Sequence, residues 1–156
     1  MRTKTLAMKL LEKKKIAFEA HTYPTTERDA EKIAVVFGVS AEMVYKTLVV
    51  ARKKKPLLVM VAASRQLDLK KLAKAVGEKK LKMASHAEAE RLTGLQVGGI
   101  SPLALLNKGF VMLADAAIHD QSHVFVSSGQ RGINLKVPVS DLLKVTRAKT
   151  VEVTSA

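Results

Sequence analysis

Two apolar, β-rich runs, Val44 to Ala51 and Leu57 to Ala62, are separated only by Arg52-Lys53-Lys54-Lys55-Pro56. A charged, proline-ended break between two such runs predicts a hairpin whose tip faces solvent, and this imposes antiparallel pairing on whatever fold the chain adopts. The lysines of the tip read as a solvated turn. Lys46 departs from the pattern, because it places an ammonium inside the first run among side chains that favour burial. A cation there needs a partner. The alternative is an end-of-strand lysine that snorkels to water.

About fifty residues later comes Val97-Gly98-Gly99-Ile100-Ser101-Pro102. Adjacent glycines remove two Cβ atoms, permit φ > 0 and let a ligand lie against main-chain N–H and C=O groups, while Pro102 stiffens the exit. A backbone-lined pocket is one reading and a tight structural turn is the other.

At 156 residues the chain is expected to form one domain, residues 1–156, with a full core. Hydrophobic residues at 47% and charged residues at 26%, with 8 Gly and 4 Pro, argue against disorder. The absence of Cys excludes disulfides, thiolate metal sites and a cysteine nucleophile. The Lys-rich N-terminus lacks the apolar core of a secretory signal and no apolar run approaches membrane-spanning length, so a cytoplasmic location and no membrane partner are expected. A net charge of +13, from 27 Lys and Arg against 14 Asp and Glu, suggests a polyanionic partner. The cations are dispersed as Lys13-Lys14-Lys15, Lys53-Lys54-Lys55, Lys70-Lys71, Lys79-Lys80 and Lys82, which suits gripping a folded RNA backbone rather than DNA. Aromatic residues at 4%, with no Trp, argue against stacking on unpaired bases and leave phosphate contacts as the main mode. A basic surface with no RNA role is the plainer alternative.

Taken in order, Leu6, Ala7, Leu10 and Leu11 recur at helical spacing after a candidate cap at Thr3, with Lys13 to Lys15 in the last turn. Ile16 to His21 alternates as a strand, and Glu27 to Phe37 reads as a helix closed by Gly38, with Ser40 capping a following turn. Asp68 and Gly77 bracket a helix carrying Leu69, Leu72, Ala73 and Val76; Leu81 to Met83 is a short strand. Ser85 and Glu88 form a candidate capping box for a helix ending at Gly94. Phe110 to Ala114, His123 to Ser127, Ile133 to Val137 and Thr150 to Val153 supply further strands, with a turn at Ser128 to Gly132 and a short helix over Ser140 to Val145. Strands outnumber helices without a βαβ rhythm, which favours α+β.

His119 and His123 are four apart but lack the Glu-bearing pattern of a zinc helix, and Asp115 and Asp120 read as turn residues, so no metal is expected. No phosphate-cradling loop follows Gly98 to Pro102, and no Gly-x-Ser-x-Gly elbow surrounds Ser101, Ser127 or Ser128. An enzyme with none of these would have to rely on positioning, electrostatic stabilisation or a group of the substrate itself.

His21-Thr22-Tyr23, Val44-Tyr45-Lys46-Thr47-Leu48, Gln66 to Lys71, Thr93-Gly94, Gly98 to Leu103, Val126-Ser127, Gly129, Arg131-Gly132 and Asp141-Leu142 stand in an order and spacing that resembles the YbaK/EbsC family, the INS-like editors of mischarged aminoacyl-tRNA. The resemblance implies a mixed, barrel-like sheet surrounded by helices and an aminoacyl-tRNA deacylase without a cofactor. The implied substrate is Cys-tRNA(Pro), whose thiol attacks its own ester, and the implied partners are tRNA(Pro) and prolyl-tRNA synthetase. It assigns a catalytic part to Lys46, at the terminal adenosine or the departing ribose oxygen, and substrate contacts to Tyr23, Thr47, Gly98, Gly99, Ile100, Ser101, Ser127 and Asp141. Asp141 also reads as a helix cap. The chain departs from the commonest family pattern at Thr25 to Asp29, which is shorter and lacks an aromatic-glycine pair, so the amino acid removed stays open. A deacylase for alanine or another small amino acid, and a tRNA- or synthetase-binding module without chemistry, are the alternatives.

Overall fold

Leu57–Ala62 is buried along its whole length, and the other elements are arranged on its two faces. The computed structural model describes residues 4–155. Its first half runs α1 (Leu6–Lys13), β1 (Glu19–Thr22), α2 (Ala30–Phe37), β2 (Tyr45–Ala51), β3 (Leu57–Ala62), β4 (Gln66–Leu67), α3 (Leu69–Val76), β5 (Lys82–Met83) and α4 (His86–Thr93). The second half adds β6 (Val111–Asp115), β7 (His123–Ser127), β8 (Ile133–Pro138), α5 (Val139–Thr146), β9 (Lys149–Val151) and β10 (Thr154–Ser155). The fold is α+β, as expected. No helix among the described residues is long and apolar enough to cross a membrane.

The hairpin forms as read, with Tyr45 opposite Ala62 and Val50 opposite Leu57. It is the centre of a five-stranded mixed sheet ordered β5-β2-β3-β6-β9, in which β3, β6 and β9 run parallel. A second, antiparallel sheet is ordered β1-β8-β7. The two sheets meet where Val44 bridges Phe125 and the Phe125 N–H donates to the Met43 carbonyl at 2.8 Å. The expected mixed sheet is thus divided into these two, stitched together just before β2 begins, and a small antiparallel pair of β4 and β10. That junction positions the site.

Strand pleating sends alternate residues of β3 to opposite sides. Leu57, Val59 and Val61 pack with Leu72 and Ala73 of α3. Met60 and Ala62 face Ala7, Met8 and Leu11 of α1, Leu142 of α5 and the inner residues of the three-stranded sheet. Leu58 joins Ala89, Ile100 and Leu105. Each fully buried Leu or Val contributes about 1.5–3 kcal/mol relative to exposure, which makes this strand the main anchor of the core.

Element ends differ from the sequence reading where a polar group intervenes. The Asp29 carboxylate accepts the Glu31 N–H at 2.9 Å and holds Asp29 extended, so α2 starts at Ala30 and residues 25–29 remain a loop. The expected cap Thr3 lies outside the described residues; Thr5 Oγ1 caps α1 by accepting the Met8 N–H. The last expected strand, Thr150 to Val153, forms β9 only as far as Val151 and a further strand, β10, follows it, because the buried Asp115 carboxylate accepts the Val153 N–H at 3.1 Å and the Thr154 hydroxyl at 3.0 Å. Asp68 caps α3, and Ser85 with Glu88 forms the capping box of α4.

Candidate active site

At the junction of the sheets lies a cleft of about 420 Å3. The start of β2 gives it consecutive residues, Val44 to Leu48, and the loop before α2 gives it Glu27, Arg28 and Asp29. Gly98 and Ile100 form another wall, with Ser127 and Asn134 from neighbouring strands.

Tyr23 leaves the end of β1 with its N–H donating to the Gly132 carbonyl at 2.9 Å, and its hydroxyl donates to the Gly98 carbonyl at 3.3 Å. Its ring meets Phe37 edge-on at 6.0 Å between centroids, and Phe37 stacks on Phe125 at 5.0 Å. This apolar backing fixes the ring. Burial pushes the Tyr23 phenol above its ordinary value, against a smaller lowering by the Gly132 backbone, so it stays a protonated donor at neutral pH.

The two glycines play different parts. Gly98 takes φ +95°, and a Cβ there would lie 3.4 Å from Arg28 Cδ and 3.5 Å from Arg131 Cγ. Arg131 is held by donating from Nε to the Val97 carbonyl at 2.7 Å. Gly99 does not line the cleft: its N–H donates to the Gln96 carbonyl at 2.8 Å, and a Cβ on it would stand 3.0 Å from the Arg131 backbone nitrogen. Its missing side chain serves the approach of two backbone segments.

Among the described residues no carboxylate lies within ion-pairing distance of Lys46, although Glu27, Asp29 and Glu31 line the same cleft. Thr47, the next residue, buries its Oγ1 with no protein hydrogen bond. Lys46 and Thr47 are consecutive on β2, so their side chains leave on opposite faces of the strand; Tyr45, on the Thr47 face, also buries its hydroxyl without a protein hydrogen bond. Ser127 also lines the cleft, its Oγ accepting the Gly129 N–H at 3.2 Å. Among the described residues no histidine does, so none offers Ser127 an imidazole base.

Ser101 and Asp141 are not brought to the cleft wall. Ser101 is fully buried and its Oγ accepts the Leu103 N–H at 3.2 Å, capping the short turn at 102–104. Asp141 sits in the first turn of α5, beyond the end of β8 remote from Asn134, and makes no cap hydrogen bond. The sequence reading in turn missed Glu27, Arg28, Gln66 and Asn134. Alternation in Ile133 to Val137 would put Asn134 on a solvent face, yet it is 5% exposed because β1 and β7 flank it and the start of β2 closes the cleft.

The model of the aminoacyl-tRNA editing domain matches residues 25–145, which contain every cleft residue above except Tyr23. The chain belongs to this editing-domain family. Membership assigns it aminoacyl-tRNA deacylation and bears out the YbaK/EbsC resemblance. The editing domain is 33% identical over 97% of its length to 94% of the Enterococcus faecalis protein named "Putative Cys-tRNA(Pro)/Cys-tRNA(Cys) deacylase EbsC". It is 28% identical over 70% of its length to a segment of the Proline--tRNA ligase of Geobacter metallireducens, of which it spans 19%. A solved structure described as "a putative trans-editing enzyme for prolyl tRNA synthetase" superposes with a TM-score of 0.85 at 24% identity, covering 97% of this chain and 96% of that one, and shares the fold.

Proposed function

We propose that this editing domain acts in trans to remove cysteine from mischarged tRNA(Pro), with the substrate's own thiol as nucleophile. The observation that carries this reading is a cleft lined, among the described residues, by an ammonium without an ion pair and by two residues, Tyr45 and Thr47, whose buried hydroxyls have no hydrogen bond, but by no histidine, in a chain without cysteine. Such a site can orient an ester and stabilise developing charge without supplying a nucleophile of its own. The cysteinyl sulfur attacks the ester carbonyl, a C–S bond forms, the bond from carbonyl carbon to ribose oxygen breaks, and the thiol proton ends on the ribose hydroxyl. The products are tRNA and a cysteine thiolactone, which water opens to cysteine. Lys46 stabilises the departing oxygen, while Tyr23, Thr47, Gly98, Ile100 and Ser127 hold the aminoacyl end. The similarity to Proline--tRNA ligase supports prolyl-tRNA synthetase as the partner that hands over the tRNA, and the cytoplasm as the place of action.

Single-turnover deacylation of tRNA(Pro) charged separately with Cys, Ser and Ala tests the mechanism. Serine replaces one atom and preserves the ester, so its rate should be a small fraction of the cysteine rate. The cysteine rate should climb with pH towards the thiol pKa near 8.5 and then level off, because thiolate is the attacking form. Mass spectrometry should detect thiolactone before free cysteine. Equal rates on Ala- or Ser-tRNA(Pro), with free amino acid as first product, would replace the thiol route by attack of water, for which the cleft wall offers the carboxylates of Glu27, Asp29 and Glu31 as candidate bases.

A further inference from the structure

At the other end of the central sheet, where β2 finishes and the parallel strands β3, β6 and β9 begin, a groove of about 1400 Å3 crosses the surface. Among the described residues, seven Lys and Arg side chains line it and no Asp or Glu does. Arg52 is the one already engaged, 3.8 Å from Glu78 and bonded to the Lys55 carbonyl. Lys13, Lys14, Lys55, Lys144, Arg147 and Lys149 are all exposed, and none has a carboxylate within 4.0 Å among the described residues. They come from three separate parts of the chain: the end of α1, the hairpin tip, and the stretch that runs from the end of α5 into β9. Cations at a helix C-terminus are favoured by the helix dipole, which accounts for Lys13, Lys14, Lys144 and Arg147 singly. It does not account for the convergence of three segments, distant in sequence, on one groove without acidic lining. Like charges brought together repel, so the arrangement favours occupancy by a polyanion.

We propose that this groove is a docking surface for the phosphate backbone of an RNA duplex, holding the body of the tRNA whose charged end enters the cleft. The proposal rests on the reading of the cleft as an aminoacyl-tRNA site. From Lys46 to Arg52 is six residues of extended chain, about 20 Å, so one elongated ligand can occupy both ends of β2. The contacts are to phosphate: Lys and Arg supply charge, and the only aromatic ring in the lining is Phe110. Binding is therefore indifferent to sequence at this surface, and selection falls to the cleft.

Binding of uncharged tRNA(Pro) transcript, followed by fluorescence anisotropy across a salt series, tests the groove without requiring turnover. Its failure is thus distinct from failure of the deacylation reading. Lys144→Gln/Arg147→Gln should weaken binding and lower the slope of log K against log salt by about one for each phosphate that is no longer neutralised. Lys70→Gln/Lys80→Gln, equal in charge change but outside the groove, should leave the slope near that of the wild-type protein. Equal slopes in both double variants would reduce the groove to general surface charge, and a smaller slope in the control would overturn the proposal. A second measurement uses only the wild-type protein, so it stands if a variant misfolds. Bound tRNA should protect Lys13, Lys14, Lys144 and Lys149 from acetylation by an N-hydroxysuccinimide ester more than Lys70 and Lys80. The reverse pattern would also overturn the proposal. Salt-independent binding of the tRNA would overturn the proposal, because neutralising phosphates releases counterions and must depend on salt.

Discussion

At the start of β2 a cleft of about 420 Å3 mixes cations with carboxylates, and many of its groups are individually fixed: Tyr23 by Gly98, Asp29 by the first turn of α2, Ser127 by Gly129. At the other end of the same strand a groove of about 1400 Å3 carries, among the described residues, seven cations, no carboxylate, and few hydrogen bonds that fix any of them. The difference separates two uses of polar groups. In the cleft position matters, so removing one atom should change a rate; in the groove only summed charge matters, so losses should be graded, shared and screened by salt.

The largest expected effect tests the cleft half of this contrast. Lys46→Met keeps an unbranched apolar stem and removes the ammonium. Because Lys46 has no ion pair among the described residues, its loss should leave the thermal midpoint close to that of the wild-type protein. Single-turnover deacylation should fall by about two to three powers of ten, the loss seen when one charge-stabilising donor is deleted. If the rate persists and the midpoint drops, Lys46 belongs to the fold and the cleft is no more specific in its use of charge than the groove.

Next in size are the glycines. Gly99→Ala sets a methyl 3.0 Å from the Arg131 nitrogen, and both walls of that contact are backbone. Overpacking of this kind costs about 1–3 kcal/mol, so unfolding by denaturant should shift clearly while the protein that stays folded retains turnover. Gly98→Ala strains a φ of +95° and also crowds Arg28 and Arg131, whose side chains can move. Its damage should appear in turnover as well as stability. Matching behaviour in the two variants would show that the glycines share one role after all.

The parts of the fold that were legible in the sequence are those written locally. Leu57–Ala62 announces a strand by composition, Asp68 and Gly77 bound α3, and Ser85 with Glu88 bounds α4, because caps and turns are set by residues a few positions apart. Tyr23, Lys46, Thr47, Gly98, Ile100 and Ser127 fall on one cleft, and the family resemblance had grouped them where spacing alone could not. Ser101 and Gly99 show the converse. A serine before Pro-Leu and a glycine in a turn look alike in sequence whether they meet a ligand or pack the chain, and here the first caps a turn and the second admits the Gln130-Arg131 backbone. Asn134 was hidden by its own alternation, since the face it points to is covered only when β2, distant in sequence, arrives. Glu27 and Arg28 were hidden by the cap at Asp29, which turns the start of an expected helix into a loop at the cleft.

The smallest effect is the most diagnostic, because it should carry opposite signs in two measurements. Thr47 Oγ1 is buried without a hydrogen bond, and an unsatisfied buried hydroxyl costs about 1–3 kcal/mol. Thr47→Val keeps the branched shape that suits β2 and removes the oxygen. The folded protein should gain stability, raising the midpoint by about 2–4 °C per kcal/mol for a chain of this size. If the hydroxyl finds its partner in the bound aminoacyl end, the same variant should deacylate more slowly, by a factor of about two to ten, the worth of one neutral hydrogen bond. A higher midpoint with an unchanged rate would make the hydroxyl a feature of packing alone. A lower midpoint would mean that water or a shifted neighbour already satisfies it. No residue of the groove should behave this way: neutralising Lys144 or Arg147 removes repulsion among exposed cations, and its effect on RNA binding should fade as salt rises. A stability gain coupled to a salt-independent loss of rate would therefore mark Thr47 as part of the chemistry and distinguish the two ends of β2 on a single pair of measurements.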